Sequence, residues 1–133
     1  MASDECWVCR GLRSEDLVLM REGDIVVFLN PEPFNNGHLV IAPTRHAPID
    51  EVDESLLLRM LLLAKRFVEV LQRVYAPHGF NIDIAPSPHV HIQVVPRWEG
   101  DVSFVTLFHG LKTVPESLRD SLRRLREVMG YGT

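Results

Sequence analysis

The chain has 133 residues, 46% of them hydrophobic and 24% charged, a balance that gives a single domain over 1–133 a real core and excludes a disordered chain. A net charge of −4 argues against bulk binding to DNA or RNA, which relies on a basic surface, but leaves a small anionic ligand open. The most apolar stretch, 56–63, is eight residues long and contains Arg59, far short of a membrane span.

Met1-Ala2-Ser3-Asp4-Glu5 is polar and acidic, without the basic and apolar regions of a signal peptide, so the expected compartment is the cytoplasm. Cys6 and Cys9 follow, the two cysteines of the chain. A disulfide across so short a loop constrains little, which leaves metal binding, redox chemistry or chance pairing. The redox reading lacks the preceding strand of a thioredoxin-like unit.

Two apolar runs, 17–20 and 25–30, flank Arg21-Glu22-Gly23-Asp24 and predict a β-hairpin. Pro31 and Pro33 stop the second run, Phe34-Asn35-Asn36-Gly37 reads as a loop, and 38–42 as the next strand, ended by Pro43. A long helix is predicted over 53–75, with Asp53 as N-cap and Pro77 and Gly79 as the stop. It is apolar nearly all round, so it must be covered on several sides, by the sheet and by either a second subunit or the C-terminal segment. Strands are predicted at 80–85 and 89–95, and a terminal helix from Pro115 to Gly130 with Leu118, Leu122, Leu125 and Met129 as its stripe. This order predicts an α+β domain on a largely antiparallel sheet.

Along 89–95, His89, His91, Gln93 and Val95 fall on one side of the strand and Val90, Ile92 and Val94 on the other. The aliphatic side belongs to the core, so the polar trio is expected to face out. Two histidines and a glutamine in a row form either a functional site or an ordinary polar face. As a site, the row suits attack on phosphorus, because imidazole is largely unprotonated near neutral pH and a covalent intermediate splits one hard displacement into two. Glutamine can donate hydrogen bonds but supplies no acidic proton, which favours leaving groups that depart as stable anions.

His89-Val90-His91-Ile92-Gln93-Val94-Val95-Pro96-Arg97-Trp98 resembles the signature of the histidine-triad superfamily with Gln in place of the third His. This variant is similar to the transferase and phosphorylase branches, the galactose-1-phosphate uridylyltransferases and diadenosine tetraphosphate phosphorylases. Phe28-Leu29-Asn30-Pro31, Asn35-Asn36-Gly37-His38-Leu39 and Pro43-Thr44-Arg45-His46 resemble the family's nucleoside-binding segment, and Trp98-Glu99-Gly100-Asp101 with Lys112-Thr113-Val114-Pro115-Glu116 its C-terminal part.

The resemblance implies a HIT-like fold, a homodimer and a nucleotidyltransferase or hydrolase acting on a nucleotide substrate. His91 would be the nucleophile, Gln93 would steady the phosphoryl oxygens, Asn30 would hold the ribose and Phe28 would line the base pocket. His38 would sit beside the phosphate; as a strand-start residue it could equally cap or pack, and Asn30 could simply end its strand. The zinc-containing members imply a structural Zn2+ on Cys6, Cys9, His46 and His89. His78 and His109 match no family position and are expected at the surface.

The family's Gly- and Ala-rich loop before the triad is replaced by Asn81-Ile82-Asp83-Ile84-Ala85-Pro86-Ser87-Pro88, which has no glycine. Ser87, the candidate phosphate-binding serine, lies one position nearer the triad than the family's. Such a loop also suits a catalytically weak nucleotide-binding or regulatory module, while a zinc-stabilised scaffold without ligand is a third reading.

Overall fold

A computed structural model describes residues 6–101 and 116–130. Helix α1 (Trp7–Leu12) leads into strands β1 (Val18–Glu22), β2 (Ile25–Leu29) and β3 (Leu39–Pro43). Helix α2 (Glu54–Tyr75), strands β4 (Gly79–Ala85) and β5 (His91–Arg97) and helix α3 (Leu118–Met129) complete it. The strands form one sheet in the order β1-β2-β3-β5-β4, every neighbouring pair antiparallel. The expected α+β class and hairpin are therefore present.

The alternating pleat gives the sheet two covered faces. Ile25, Val27 and Leu29 of β2, Leu39 and Ile41 of β3, and Ile92 and Val94 of β5 pack on α2 and α3 in the main core. Val26, Phe28, Val40 and Ala42 point the other way, into a smaller cluster closed by Cys6, Val8, Cys9 and Leu12. Because β2 and β3 are buried on both faces, they read as continuous apolar runs.

Helix α2 buries Leu56, Met60, Leu63, Ala64, Phe67 and Leu71, and Leu122 and Leu125 of α3 join the same core. The C-terminal helix thus covers one side of α2, but Leu58, Leu61 and Leu62 remain 61%, 51% and 63% exposed. Leu58 and Leu61 line one surface groove with Ile84 of the edge strand β4, on which Ile82 is also exposed. None of the helices in the described residues is long and apolar enough to cross a membrane.

Several boundaries differ from expectation. Strand β5 begins at His91, not His89, because the Val90 N–H is taken by the Ala47 carbonyl at 2.9 Å, and it runs on through Pro96 to Arg97. Gly79 opens β4; the stop of α2 is Ala76, left-handed at φ 45°, whose N–H returns to Gln72. Asp53 is the N-cap by position, without a side-chain bond. Helix α3 starts at Leu118, later than expected, since Ser117 is extended and its side chain caps the Asp120 N–H. His109 and the stretch 112–115 lie outside the described residues.

Candidate active site

A directional chain of hydrogen bonds crosses three strands on the α1 side of the sheet. The Asn30 N–H donates to the His38 carbonyl at 2.9 Å, closing the β2–β3 loop and setting the two side chains next to each other. His38 Nδ1 accepts from the Phe34 N–H at 3.0 Å, which puts its ring proton on Nε2. That proton goes to Gln93 Oε1 at 2.7 Å. With its oxygen turned to His38, Gln93 directs its amide NH2 at His91 Nε2, 3.4 Å away. His91 Nδ1 donates to the His89 carbonyl at 2.9 Å, so its Nε2 carries a lone pair. Each ring nitrogen thereby has an assigned role. Burial holds the His38 and His91 pKa values below the usual histidine range, against the opposing hydrogen bonds from Gln93 and His89.

The row does not face open solvent as expected. His91 is 6% exposed and His89 1%, because α1 lies across this face. The Trp7 ring meets the His91 ring edge-on at 5.2 Å. Beside it opens a cleft of about 650 Å³, lined by Trp7, Arg10, Gly11, Ser14, Leu17, Asn30, Pro31 and Glu32. Its size is that of a small-molecule site. Gly11 forms part of its floor by necessity: a Cβ there would lie 2.2 Å from the Phe28 ring. Phe28 itself is fully buried beneath Gly11 and Trp7. Ser87 is exposed on the segment between β4 and β5 and has no hydrogen bond among the described residues.

The loop that carries His38 is anchored at both ends. Asn35 donates to the Pro96 carbonyl and to Asp101, each at 2.8 Å, and Asp101 also takes two bonds from Arg97 and one from the Trp98 N–H. Gly37, at φ +83°, fits where a Cβ would come within 2.7 Å of Tyr75. Asn36 Oδ1 accepts from the Glu116 N–H at 3.1 Å, linking the loop to the approach of α3. Glu116 in turn takes hydrogen bonds from Tyr75, Ser121 and Arg124. His78 is exposed, as expected, and accepts from the Glu99 N–H.

Behind the row, Cys6, Cys9, His46 and His89 converge with all four donor atoms within 4.8 Å of one another. Cys9 Sγ is 3.3 Å from both His46 Nδ1 and His89 Nδ1, and Cys6 Sγ is 3.7 Å from His89 Nδ1. A tetrahedral zinc bound by sulfur and nitrogen separates its ligands by about 3.3–3.8 Å, from bond lengths near 2.0–2.3 Å. The His89 Nε2–H donates to the Pro43 carbonyl at 2.8 Å, leaving Nδ1 as the ligand, as metal-bound histidines require. Burial, with the adjoining Cys6 thiol, pushes the Cys9 thiol up to about 11, a position that a divalent cation would reverse. The four residues fit a metal ion, and zinc suits their chemistry.

Trp7, Arg10 and Glu32 were not singled out from the sequence. A signal existed for Trp7, since it sits between the two cysteines, and cysteines that meet His89 bring their intervening residues to His91.

The HIT domain model matches residues 12–100, and the chain belongs to that family. It is 32% identical over 120 residues to an AP-4-A phosphorylase of Mycobacterium tuberculosis, covering 84% of this chain and 62% of that one. The chain thus spans less than two thirds of that relative's length. A Zn-bound histidine triad family protein from Mycobacterium smegmatis superposes with a TM-score of 0.73 at 20% identity, over 97% of this chain and 96% of that one. A uridylyltransferase does so with a TM-score of 0.73 at 17% identity, over 96% of this chain and 46% of that one. Both likenesses are of fold.

Proposed function

We propose that the protein is a nucleotidyl-transferring enzyme acting at the α-phosphorus of a nucleotide or dinucleoside polyphosphate, with His91 as nucleophile. The observation that carries this reading is the fixed tautomer of His91, whose Nε2 lone pair faces the Gln93 amide, while the cleft is walled by Trp7 and Asn30, which touch the His91 ring and Gln93. In the first step Nε2 forms a bond to phosphorus, and the bridging P–O bond breaks, its electrons leaving with a phosphate or polyphosphate anion. The Gln93 NH2 donates to the phosphoryl oxygens as charge builds there. In the second step an acceptor oxygen attacks phosphorus and the P–N bond breaks, returning the lone pair to Nε2. No acid stands at the Gln93 position, so an acceptor that arrives already ionised, such as inorganic phosphate or a sugar phosphate, suits the site better than water. The similarity to an AP-4-A phosphorylase supports the same choice.

In this reading zinc on Cys6, Cys9, His46 and His89 is structural, because four protein ligands leave no open position for chemistry. His38 sets the Gln93 amide, Ser87 belongs to the phosphate rim, and Phe28 supports the base floor from beneath Gly11 and Trp7. The uncovered leucines of α2 and the edge of β4 form the contact of a homodimer. Two cysteines not joined in a disulfide suit a cytoplasmic protein.

The test is brief incubation with ATP, ADP, UDP-glucose or diadenosine tetraphosphate, followed by intact-mass spectrometry at mildly basic pH. A nucleotidyl adduct in wild type, absent in His91→Ala, is expected. A second reading, a regulatory nucleotide-binding module, draws on the short segment 86–90 between β4 and β5, which offers few backbone donors to a phosphate. Saturable binding with no adduct and no turnover would select it.

A further inference from the structure

The one exposed Phe, Tyr or Trp side chain among the described residues is Phe34, 51% accessible on the loop between β2 and β3. A single exposed apolar residue means little by itself. This one, however, is fixed from two directions. Its N–H donates to His38 Nδ1 at 3.0 Å, and its ring lies under the Arg97 guanidinium, 4.8 Å from the ring centroid. Arg97 is itself tied down: Nε and Nη2 each donate to Asp101 at 2.8 Å, and Nη1 donates to Asn81. All three guanidinium nitrogens are thus engaged in the plane of the group, which leaves its flat faces for stacking.

The pair has a defined place relative to the chemistry. Trp7, a wall of the cleft, meets His91 at one end of the hydrogen-bonded row. Phe34 stands at the other end, separated from His91 Nε2 by bonds of 3.0, 2.7 and 3.4 Å through His38 and Gln93. A polyphosphate chain that starts at His91 can span such a row and carry a second nucleoside to its far end.

We infer that Phe34 and Arg97 form a stacking shelf for the second nucleobase of a dinucleoside polyphosphate, the nucleoside that departs with the leaving group. The assignment rests on the nucleotide reading above and narrows its substrate class to dinucleotides over mononucleotides. When His91 attacks, the bridging P–O bond breaks and its electrons leave with the nucleoside polyphosphate that rests on the shelf. Bases stack on aromatic rings and on guanidinium planes with little regard to identity, because every base has a π-face. The shelf therefore selects for the presence of a second base rather than for its kind.

The experiment measures equilibrium binding of ATP and diadenosine tetraphosphate to wild type, Phe34→Leu and Phe34→Trp. Both ligands carry methylene in place of the α,β bridging oxygens, so no group is transferred during the measurement. Their charges are nearly the same, and the ratio of their affinities isolates the second nucleoside. Wild type is expected to prefer the dinucleotide by about tenfold or more, the usual worth of one stacked base. Phe34→Leu keeps an apolar side chain on the loop but offers no ring, and it brings the ratio down to the statistical advantage of a ligand with two identical ends. Phe34→Trp keeps the wild-type preference. A ratio unmoved in Phe34→Leu, or lost equally in Phe34→Trp, overturns the inference and leaves the nucleotide reading standing. So does wild type that binds ATP without preferring the dinucleotide. Wild type that binds neither ligand overturns both.

Discussion

His91 is held by the backbone of His89: its Nδ1–H meets that carbonyl at 2.9 Å, while the His89 ring turns away to face the sulfur of Cys9 at 3.3 Å. One residue therefore serves two sites, its carbonyl fixing the His91 ring and its imidazole closing the Cys and His cluster. The two sites meet at this one residue, which is 1% exposed.

Zinc content and stability should fall together. Cys9→Ser is expected to lose a stoichiometric zinc ion by elemental analysis and to lower Tm by roughly 10 °C or more, because binding free energy at such a site is folding free energy. Chelation of the wild type should do the same. A metal-free wild type with an unchanged melting curve would remove zinc from the account.

Gln93 accepts from His38 and Asn30, and its amide NH2 is the donor that faces His91 Nε2. Gln93→Ala should reduce kcat by about 10²–10³-fold, the usual effect of deleting one donor to developing charge. KM should change little, since the lost interaction is made mainly in the transition state. An equal rise in KM with kcat preserved would instead make Gln93 a ground-state binding residue.

Asp101 ties the loop of Asn35 to the end of β5, and its acid sensitivity has a defined sign. The Arg97 guanidinium foremost, then the Trp98 N–H and the Asn35 amide, hold its carboxyl well below the ordinary 3.8, against the opposing effect of burial. A depressed folded-state pKa gives stability that is complete above the unfolded value near 4 and drains away as the pH falls below it. Asp101→Asn should cost about 1.5–3 kcal/mol at pH 7. The difference should shrink at pH 3, and urea unfolding at both values reads it. An equal loss at pH 7 and pH 3 would show that the charge is immaterial.

The apolar surface formed by Leu58, Leu61 and Leu62 with Ile82 and Ile84 should hold a second subunit. Leu61→Glu is expected to give a monomer by light scattering where wild type is a dimer, with the fold intact by circular dichroism. Wild type that is monomeric at tens of micromolar would leave this surface to another partner.

Much of this architecture was legible in the residues. Arg21-Glu22-Gly23-Asp24 marked the hairpin, and the alternation of 89–95 assigned Ile92 and Val94 to the core, where they lie. The spacing of Cys6 and Cys9, with the family resemblance at His46 and His89, led to four donors that the structure brings together. Helix α1 was not legible, because six residues with a glycine among them give no periodicity to read. Missing α1 meant misjudging the burial of His91. Polar residues signal solvent only when their hydrogen bonds go to water, and here His38, Gln93, His91 and the His89 carbonyl satisfy one another. The cleft was beyond reach for the same reason, since its walls come from α1 and the β2–β3 loop, segments far apart in any linear pattern.

Strand β5 carries a consequence for how the chain finds its fold. Val40 lies opposite Gln93 and Ile41 opposite Ile92 in the β3–β5 pairing. A slip of one residue would turn His91 and Gln93 into the layer of Met60, Leu63 and Phe67 and would push Ile92 and Val94 under Trp7. Both faces would lose at once, one gaining unpaired polar groups and the other losing its relay. The sheet therefore proofreads itself at the strand where an alignment error would do most harm, and the same two side chains that point to chemistry also act as pegs that hold the strand in place.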